Sequence, residues 1–254
     1  YTVMSFIEQF FAKHSSENSE LFRSCMEWTA TQPSDFSEHT VLMTGASPDS
    51  IAVEMLKHLL RGNARVVVTT TSCNAKRMRF YRDLYNKEAG PKAQLHVLPF
   101  NQASTEDVDQ LCDWLFDVDR DLRPNLVIPF GAMKSAGSLA ELSGKSEAAM
   151  RAMLVGVELL VSQIGERLLK EGGGHCHVIL PLSPNHGSFG GDGLYAESKA
   201  ALEVLMNKCV SERNQWARHI TICGARIGWV RGTGLMNDNN IFASELEQRL
   251  SVST

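Results

Sequence analysis

Apolar residues fall along the chain in short uninterrupted runs separated by longer stretches of helical spacing. Residues 41–44 form the first run, closed by Gly45. Residues 50–61 follow with Ile51, Met55, Leu59 and Leu60 on one side of a helix, and Gly62 supplies a stop. The pattern then predicts a strand at 66–70, a charged helix around 75–88 and a strand at 94–100. Ser104 opens the next helix, with Glu106 and Asp107 in its first turn, where negative charge suits the helix dipole. A fourth strand is predicted at 126–130, and a long helix at 146–170 ended by the glycines 172–174. A fifth strand at 177–182, a helix at 193–213 and a sixth strand at 220–227, interrupted at Gly224, complete the series. Residues 1–30 carry helix-like apolar spacing through Val3, Phe6, Ile7, Phe10 and Phe11, and the turn-rich stretch 31–39 reads as a linker.

Nearly all-apolar strands alternating with helices mean a parallel sheet covered on both faces. The expected fold is therefore α/β: a Rossmann-like doubly wound parallel sheet with a helical N-terminal lead-in. Residues 1–38 would be the lead-in and linker, and residues 39–254 the domain. Such a sheet binds ligands beyond the carboxyl ends of its strands, near the point where strand order reverses.

Composition narrows the function classes. Hydrophobic residues are 43% and charged residues 21%, which fits a folded domain and not a disordered segment. A net charge of −4 argues against a dedicated nucleic-acid binder. No apolar run approaches the roughly 20 residues of a membrane span, and Glu8, Lys13 and His14 interrupt any signal-peptide pattern. None of the 6 cysteines forms a CxxC pair, which points to a reducing, cytoplasmic compartment. The chain starts at Tyr1 and not at Met, so it reads as a piece of something longer.

The sharpest chemical signal lies in 193-GLYAESKAALEVL-205. Tyr195 and Lys199 are i and i+4 on one helix and so share a face. An ammonium there is expected to favour the tyrosinate and lower the tyrosine pKa, making Tyr195 a proton donor to a carbonyl oxygen. Ser183, twelve residues earlier at the end of the fifth strand, is placed to hydrogen-bond the same oxygen. His175 and His177 alternate on a strand, with His186 downstream, but no carboxylate or further histidine completes a recognised metal set, so no metal is expected. Cys176 reads as core.

These residues resemble the short-chain dehydrogenase/reductase family. The runs 180-LPLSPNHGSFGGDGLYAESKAALE-203 and 222-ICGARIGWVRGTGLM-236 are similar to the ketoreductase domain of fungal-type fatty acid synthase α chains and of bacterial type I synthases. The runs 64-ARVVVTTTS-72, 97-VLPFNQAS-104 and 127-VIPFGA-132 fit as well, so the resemblance covers about residues 40–245. It implies NADPH-dependent reduction of 3-oxoacyl groups carried on an acyl carrier protein, inside a large oligomeric multienzyme with neighbouring synthase domains. Ser183 would orient the ketone, Tyr195 would donate the proton, and Lys199 would hold the nicotinamide ribose. Gly45, Ser47, Ser50 and Ile51 would border the pyrophosphate. Thr70 and Ser72 would follow the second strand, Phe100, Asn101 and Gln102 would meet the adenine, and Gly131 and Ala132 would let the cofactor pass close to the backbone. Gly228 and Thr233 would sit near the nicotinamide and pyrophosphate. Met133 and Lys134 would stand at the entrance; on charge alone, Lys134 or Arg231 is expected to contact the phosphopantetheine arm of an acidic carrier protein.

The chain departs from the family in three places. In 44-TGASPDSIA-52, Ser47, Asp49 and Ala52 stand where the family carries glycine, Pro48 lacks an N–H, and Asp49 reads as the cap of the following helix. No Asp or Glu lies between Val66 and Ala75, which favours a 2′-phosphate over a free ribose diol. The family's arginine aligns there with Ser72, while Lys76, Arg77 and Arg79 offer either a phosphate clamp or a solvated helix face. Gly156 falls where family members place a proton-relay asparagine. The first departure keeps a second reading open: a non-catalytic structural module of the same kind of multienzyme.

Overall fold

Six strands of β-branched and aliphatic residues build the centre of the molecule. They are β1 (Thr40–Thr44), β2 (Arg65–Thr70), β3 (Gln94–Pro99), β4 (Leu126–Pro129), β5 (Cys176–Leu182) and β6 (Ile220–Arg226). They form one parallel sheet in the order β3-β2-β1-β4-β5-β6, so strand order reverses between β1 and β4. The structure, a computed structural model, describes residues 34–188, 190–228 and 230. The predicted helices of 1–30 lie outside the described residues, as does Thr233.

Both faces of the central strands are buried, and the period-2 alternation of the strands divides the core in two. Leu42, Val67, Val127, Val178 and Leu180 point to one side. There they pack against α3 (Thr105–Leu115), α5 (Gly156–Glu171) and α6 (Tyr195–Ser211). Val41, Met43, Val66, Val68 and Ile128 point to the other side, against α1 (Ile51–Arg61) and α2 (Ala75–Glu88). This is why the central strands β1, β2 and β4 lack polar alternation, whereas the edge strands β3 and β6 are partly exposed and carry polar residues. Short polar residues start the helices. The side chains of Ser50, Asn74 and Ser104 accept hydrogen bonds from the backbone N–H of Val53, Arg77 and Asp107.

Three expectations need correction. The helix predicted at 146–170 is α4 (Gly144–Met150), a π-helical turn at Arg151–Val155, and then α5, which ends at Gly172 in the left-handed conformation (φ 70). The break falls where α5 starts against the chain after β3: a Cβ on Gly156 would lie 1.9 Å from the Gln102 carbonyl oxygen. No side chain fits there, asparagine included. Gly156→Ala is therefore expected to destabilise the fold by about 2 kcal/mol, measurable by denaturant titration, because backbone and not a flexible side chain must move.

Gly224 does not interrupt β6, which pairs with β5 through seven positions, Leu180 opposite Gly224 among them. Its small size serves packing, since a Cβ would meet Leu182 at 2.5 Å and Met206 at 2.9 Å. Finally, Gly144–Glu171 is by length and composition apolar enough to cross a membrane. Its apolar residues belong to the core, with Met153, Val157, Leu160, Val161, Ile164 and Leu168 all buried.

Candidate active site

A cleft of about 430 Å³ opens at the carboxyl ends of β1 and β4, where strand order reverses. Its floor is the turn from β1 into α1. Gly45 holds φ 77, and a Cβ there would lie 2.5 Å from the Phe130 carbonyl oxygen, so the turn requires glycine. Ser47 donates its N–H to the Gly45 carbonyl, and Ser50 donates both its N–H and its hydroxyl to the Ser47 carbonyl. Asp49 is held at φ 60, in the left-handed region. Ser50, extended at φ −108 and ψ 154, is the helix cap, so the expectation that Asp49 caps α1 is corrected. The conformation gives the physical reason: a cap has extended backbone, whereas position 49 must turn left-handed. Gly45, Ser47, Ser50, Ile51, Pro48 and Asp49 all line the cleft.

The opposite wall comes from β3, β4 and the π turn, tied together by one buried side chain. The Thr44 hydroxyl donates to Gln102 Oε1 (2.7 Å) and accepts from the Gly131 N–H (2.8 Å). Gln102 Nε2 donates to the carbonyls of Ala152 (2.7 Å) and Gly131 (3.3 Å). Gln102 therefore lines the cleft, but its amide is spent on bracing the wall and not left for a ligand. A Cβ on Gly131 would strike the side chains of both Gln102 and Thr44. Phe100, Asn101, Gly131, Ala132 and Met133 complete this side.

At the β2 end, Thr70 and Arg77 reach the cleft. Ser72 does not line it: its hydroxyl accepts from Asn74 Nδ2 (2.9 Å) instead. Of Lys76, Arg77 and Arg79 at the start of α2, Arg77 alone is on the wall, while Lys76 and Arg79 are exposed. Tyr81, one turn beyond, is buried and donates its hydroxyl to the Ala46 carbonyl (2.9 Å), which locks α2 to the floor. Sequence reasoning missed Thr44 and Tyr81. The only available signal was a polar residue inside an otherwise apolar strand or helix face.

The third wall holds the titratable groups. Tyr195 and Lys199, at the start of α6, both face the cleft together with Gly228. Ser183 ends the run of β5, is buried, and abuts Tyr195 without lining the cleft. Lys199 Nζ stands 5.7 Å from the Tyr195 ring centroid. Burial pushes the Lys199 ammonium down from 10.5 to about 8. Burial also raises the Tyr195 pKa; contact with the Ser183 hydroxyl pulls it down and the Asp192 carboxylate raises it further. The expected acidified tyrosine is therefore corrected for the free protein. The i, i+4 spacing does put both groups on one face, but the ammonium lies over the ring and is itself desolvated, so it does not offset the burial of the phenol.

The histidine reading divides. The rings of His175 and His177 are 4.8 Å apart and share the Thr221 hydroxyl, while His186 lies 3.6 Å from Glu203. Among the described residues no group of three or more His, Cys, Asp or Glu side chains is arranged to hold a metal. Cys176 is buried in the core, its thiol pushed up to about 12.

The order of strands and the cleft at their reversal define a Rossmann-like fold, and the molecule has the fold of the short-chain dehydrogenases/reductases. It superposes on a structure described as an NAD(P)-dependent gluconate 5-dehydrogenase from Beutenbergia cavernae, which carries bound NADP, with TM-score 0.68 and 15% identity over 87% of this chain and 83% of that one. A short-chain dehydrogenase/reductase from Serratia marcescens gives TM-score 0.67 and 20% identity over 85% and 83%.

The homologues of the chain are fungal fatty acid synthase alpha subunits. It is 42% identical over 240 residues to that of Emericella nidulans and 40% identical over 245 residues to that of Saccharomyces cerevisiae. These alignments take in 92% and 93% of this chain but only 14% and 13% of the relatives, so the chain corresponds to a small part of their length. No protein-family model matches it.

Proposed function

We propose that this chain is the 3-oxoacyl reductase domain of a type I fatty acid synthase. It would use NADPH to reduce a 3-oxoacyl thioester, presented by an acyl carrier protein, to the 3-hydroxyacyl thioester. The observation that carries the reading is the meeting of Tyr195, Lys199 and the Gly45 turn on one cleft, with Ser183 against Tyr195. Gly45 and Gly131 line the cleft at positions where packing against the protein requires glycine. Bound, the cofactor supplies the hydride.

The residues of the chain supply orientation and the proton. The Ser183 hydroxyl accepts from the Asn185 N–H (3.1 Å), which leaves its own proton for the ketone oxygen. Tyr195, kept protonated by its burial, donates its phenolic proton to that oxygen as negative charge develops there. Lys199, still charged at neutral pH, holds the ribose and stabilises the tyrosinate left behind. Arg77 on the wall beyond β2, with no carboxylate between Val66 and Ala75, matches a 2′-phosphate. The homology extends the reading to neighbouring synthase domains and to the cytoplasm as the working compartment.

A second reading, a structural module that binds no cofactor, is favoured by one observation: the Asp49 carboxylate on the pyrophosphate side of the cleft. Fluorescence titration of the 254-residue chain with NADPH and NADH separates the two. Micromolar NADPH binding, with oxidation on adding a 3-oxoacyl thioester, is expected. Arg77→Ala should weaken NADPH binding about tenfold and leave NADH binding unchanged, as for one lost phosphate contact. No binding at millimolar NADPH would establish the structural module.

A further inference from the structure

The Ser183 hydroxyl is linked to the backbone of Tyr195 by hydrogen bonds that run through the loop between them. Ser183 Oγ accepts from the Asn185 N–H (3.1 Å), and Asn185 Nδ2 donates to Asp192 Oδ2 (2.8 Å). The Asp192 carbonyl in turn accepts the Tyr195 N–H (3.2 Å) at the first residue of α6. Asn185 Oδ1 takes the Gly187 N–H (3.1 Å), so the amide is fixed at both ends and its orientation is determined. Asp192 is anchored from outside as well. It bridges to Gly137, whose N–H and carbonyl bond the carbonyl of Gly191 and the N–H of Gly193 (both 3.0 Å). The Asn185–Asp192 bond is thus the side-chain-to-side-chain link on the path through the loop.

We infer that Asn185 and Asp192 are a positioning pair that holds Ser183 and Tyr195 at a fixed separation around the substrate carbonyl. The inference rests on the reductase reading of the cleft. It also assigns a reason for the pair's composition. An amide facing a carboxylate makes a charge-assisted bond, stronger than a neutral one in the half-buried loop. The carboxylate has a second effect, because the groups that face the Tyr195 phenol among the described residues are Ser183 from β5, Asp192 from the loop and Lys199 from α6. Asp192 is the only anion of the three, and it adds to the burial that keeps the proton on Tyr195. In this chain no asparagine side chain can project from the start of α5, since Gly156 has no room for one.

The test is an exchange of partners in the full chain. Asn185→Ala and Asn185→Asp should each lower kcat about tenfold, with NADPH affinity unchanged, because a small displacement of either hydroxyl costs that much. The double variant Asn185→Asp/Asp192→Asn re-forms the bond with donor and acceptor exchanged, and should restore kcat to within about threefold of the starting protein. Retained kcat in the single variants, or no rescue in the exchange, overturns the inference. A second measurement is independent of turnover: the tyrosinate absorbance of the cofactor-free protein as pH is raised, with Tyr195→Phe as the reference. Asp192→Asn should move the Tyr195 step to lower pH, and an unmoved step overturns the assignment of Asp192. Should the starting protein bind no NADPH, the reductase reading fails, and the absorbance titration still decides whether Asp192 acts on Tyr195.

Discussion

Replacing Asp49 with glycine is expected to tighten NADPH binding by about 10- to 100-fold. Asp49 lies on the cleft wall at the turn into α1, where the positive end of the helix would otherwise attract a diphosphate. A carboxylate some 4–5 Å from a phosphate, at an effective dielectric of about 20, opposes binding by roughly 3–4 kcal/mol before screening. Asp49 is exposed, so water and salt reduce this, and the net gain is smaller. The backbone gains as well, since φ 60 costs an aspartate something and glycine nothing. That relief is offset by the greater freedom of glycine in the unfolded chain, so fold stability should change by less than about 1 kcal/mol. Asp49→Asn separates charge from backbone: asparagine tolerates the left-handed conformation but carries no charge. Equal gains in both variants assign the effect to the carboxylate, and a gain in glycine alone assigns it to close backbone approach. Unchanged affinity in both would show that the loop does not limit cofactor binding.

The example also shows what sequence made legible. The strands announced themselves because Val66–Val68, Leu126–Ile128 and Val178–Leu180 are buried on both faces and so lack polar interruptions. From six such runs with helices between them, the sheet and the location of the cleft followed. Spacing alone placed Tyr195 and Lys199 together, and strand ends placed Gly45, Asn101 and Gly131. What spacing does not carry is depth and direction. Asp49 and Ser50 are both plausible caps by residue type, and only φ distinguishes them. Gln102 stood at a strand end like any ligand contact, yet its partners lie 29, 50 and 58 residues away, beyond the reach of local pattern. The π turn at Arg151–Val155 leaves the apolar spacing of the helix continuous, so it and the close approach of Gly156 to Gln102 beside it stayed hidden. Asn185 and Asp192 fell in a glycine-rich loop with no period at all.

Lys199→Met is expected to stabilise the cofactor-free protein while abolishing reduction. The Lys199 side chain is 4% exposed, and burial lowers its pKa from 10.5 to about 8. In the unfolded chain the ammonium is hydrated, so below pH 8 the folded state bears the full cost of holding it desolvated, about 3 kcal/mol. Between pH 8 and 10.5 the folded state has released the proton and the unfolded state has not. The unfolded state then binds more protons, and stability rises with pH until both forms are neutral and the cost has vanished. A methionine of similar length never carries that cost. The variant should therefore gain about 2–3 kcal/mol at pH 7, or roughly 5–10 °C in Tm for a domain of this size, and the gain should shrink to nothing by pH 10.5. Denaturant titrations of both proteins at pH 7 and pH 10 measure the difference. A destabilised variant at pH 7, or a gain independent of pH, would show that the Lys199 ammonium is paid no such penalty by the fold. The expected result places the conflict at one residue: a charge that a sheet-covering helix is better without is retained next to Tyr195, where the proposed proton transfer requires it.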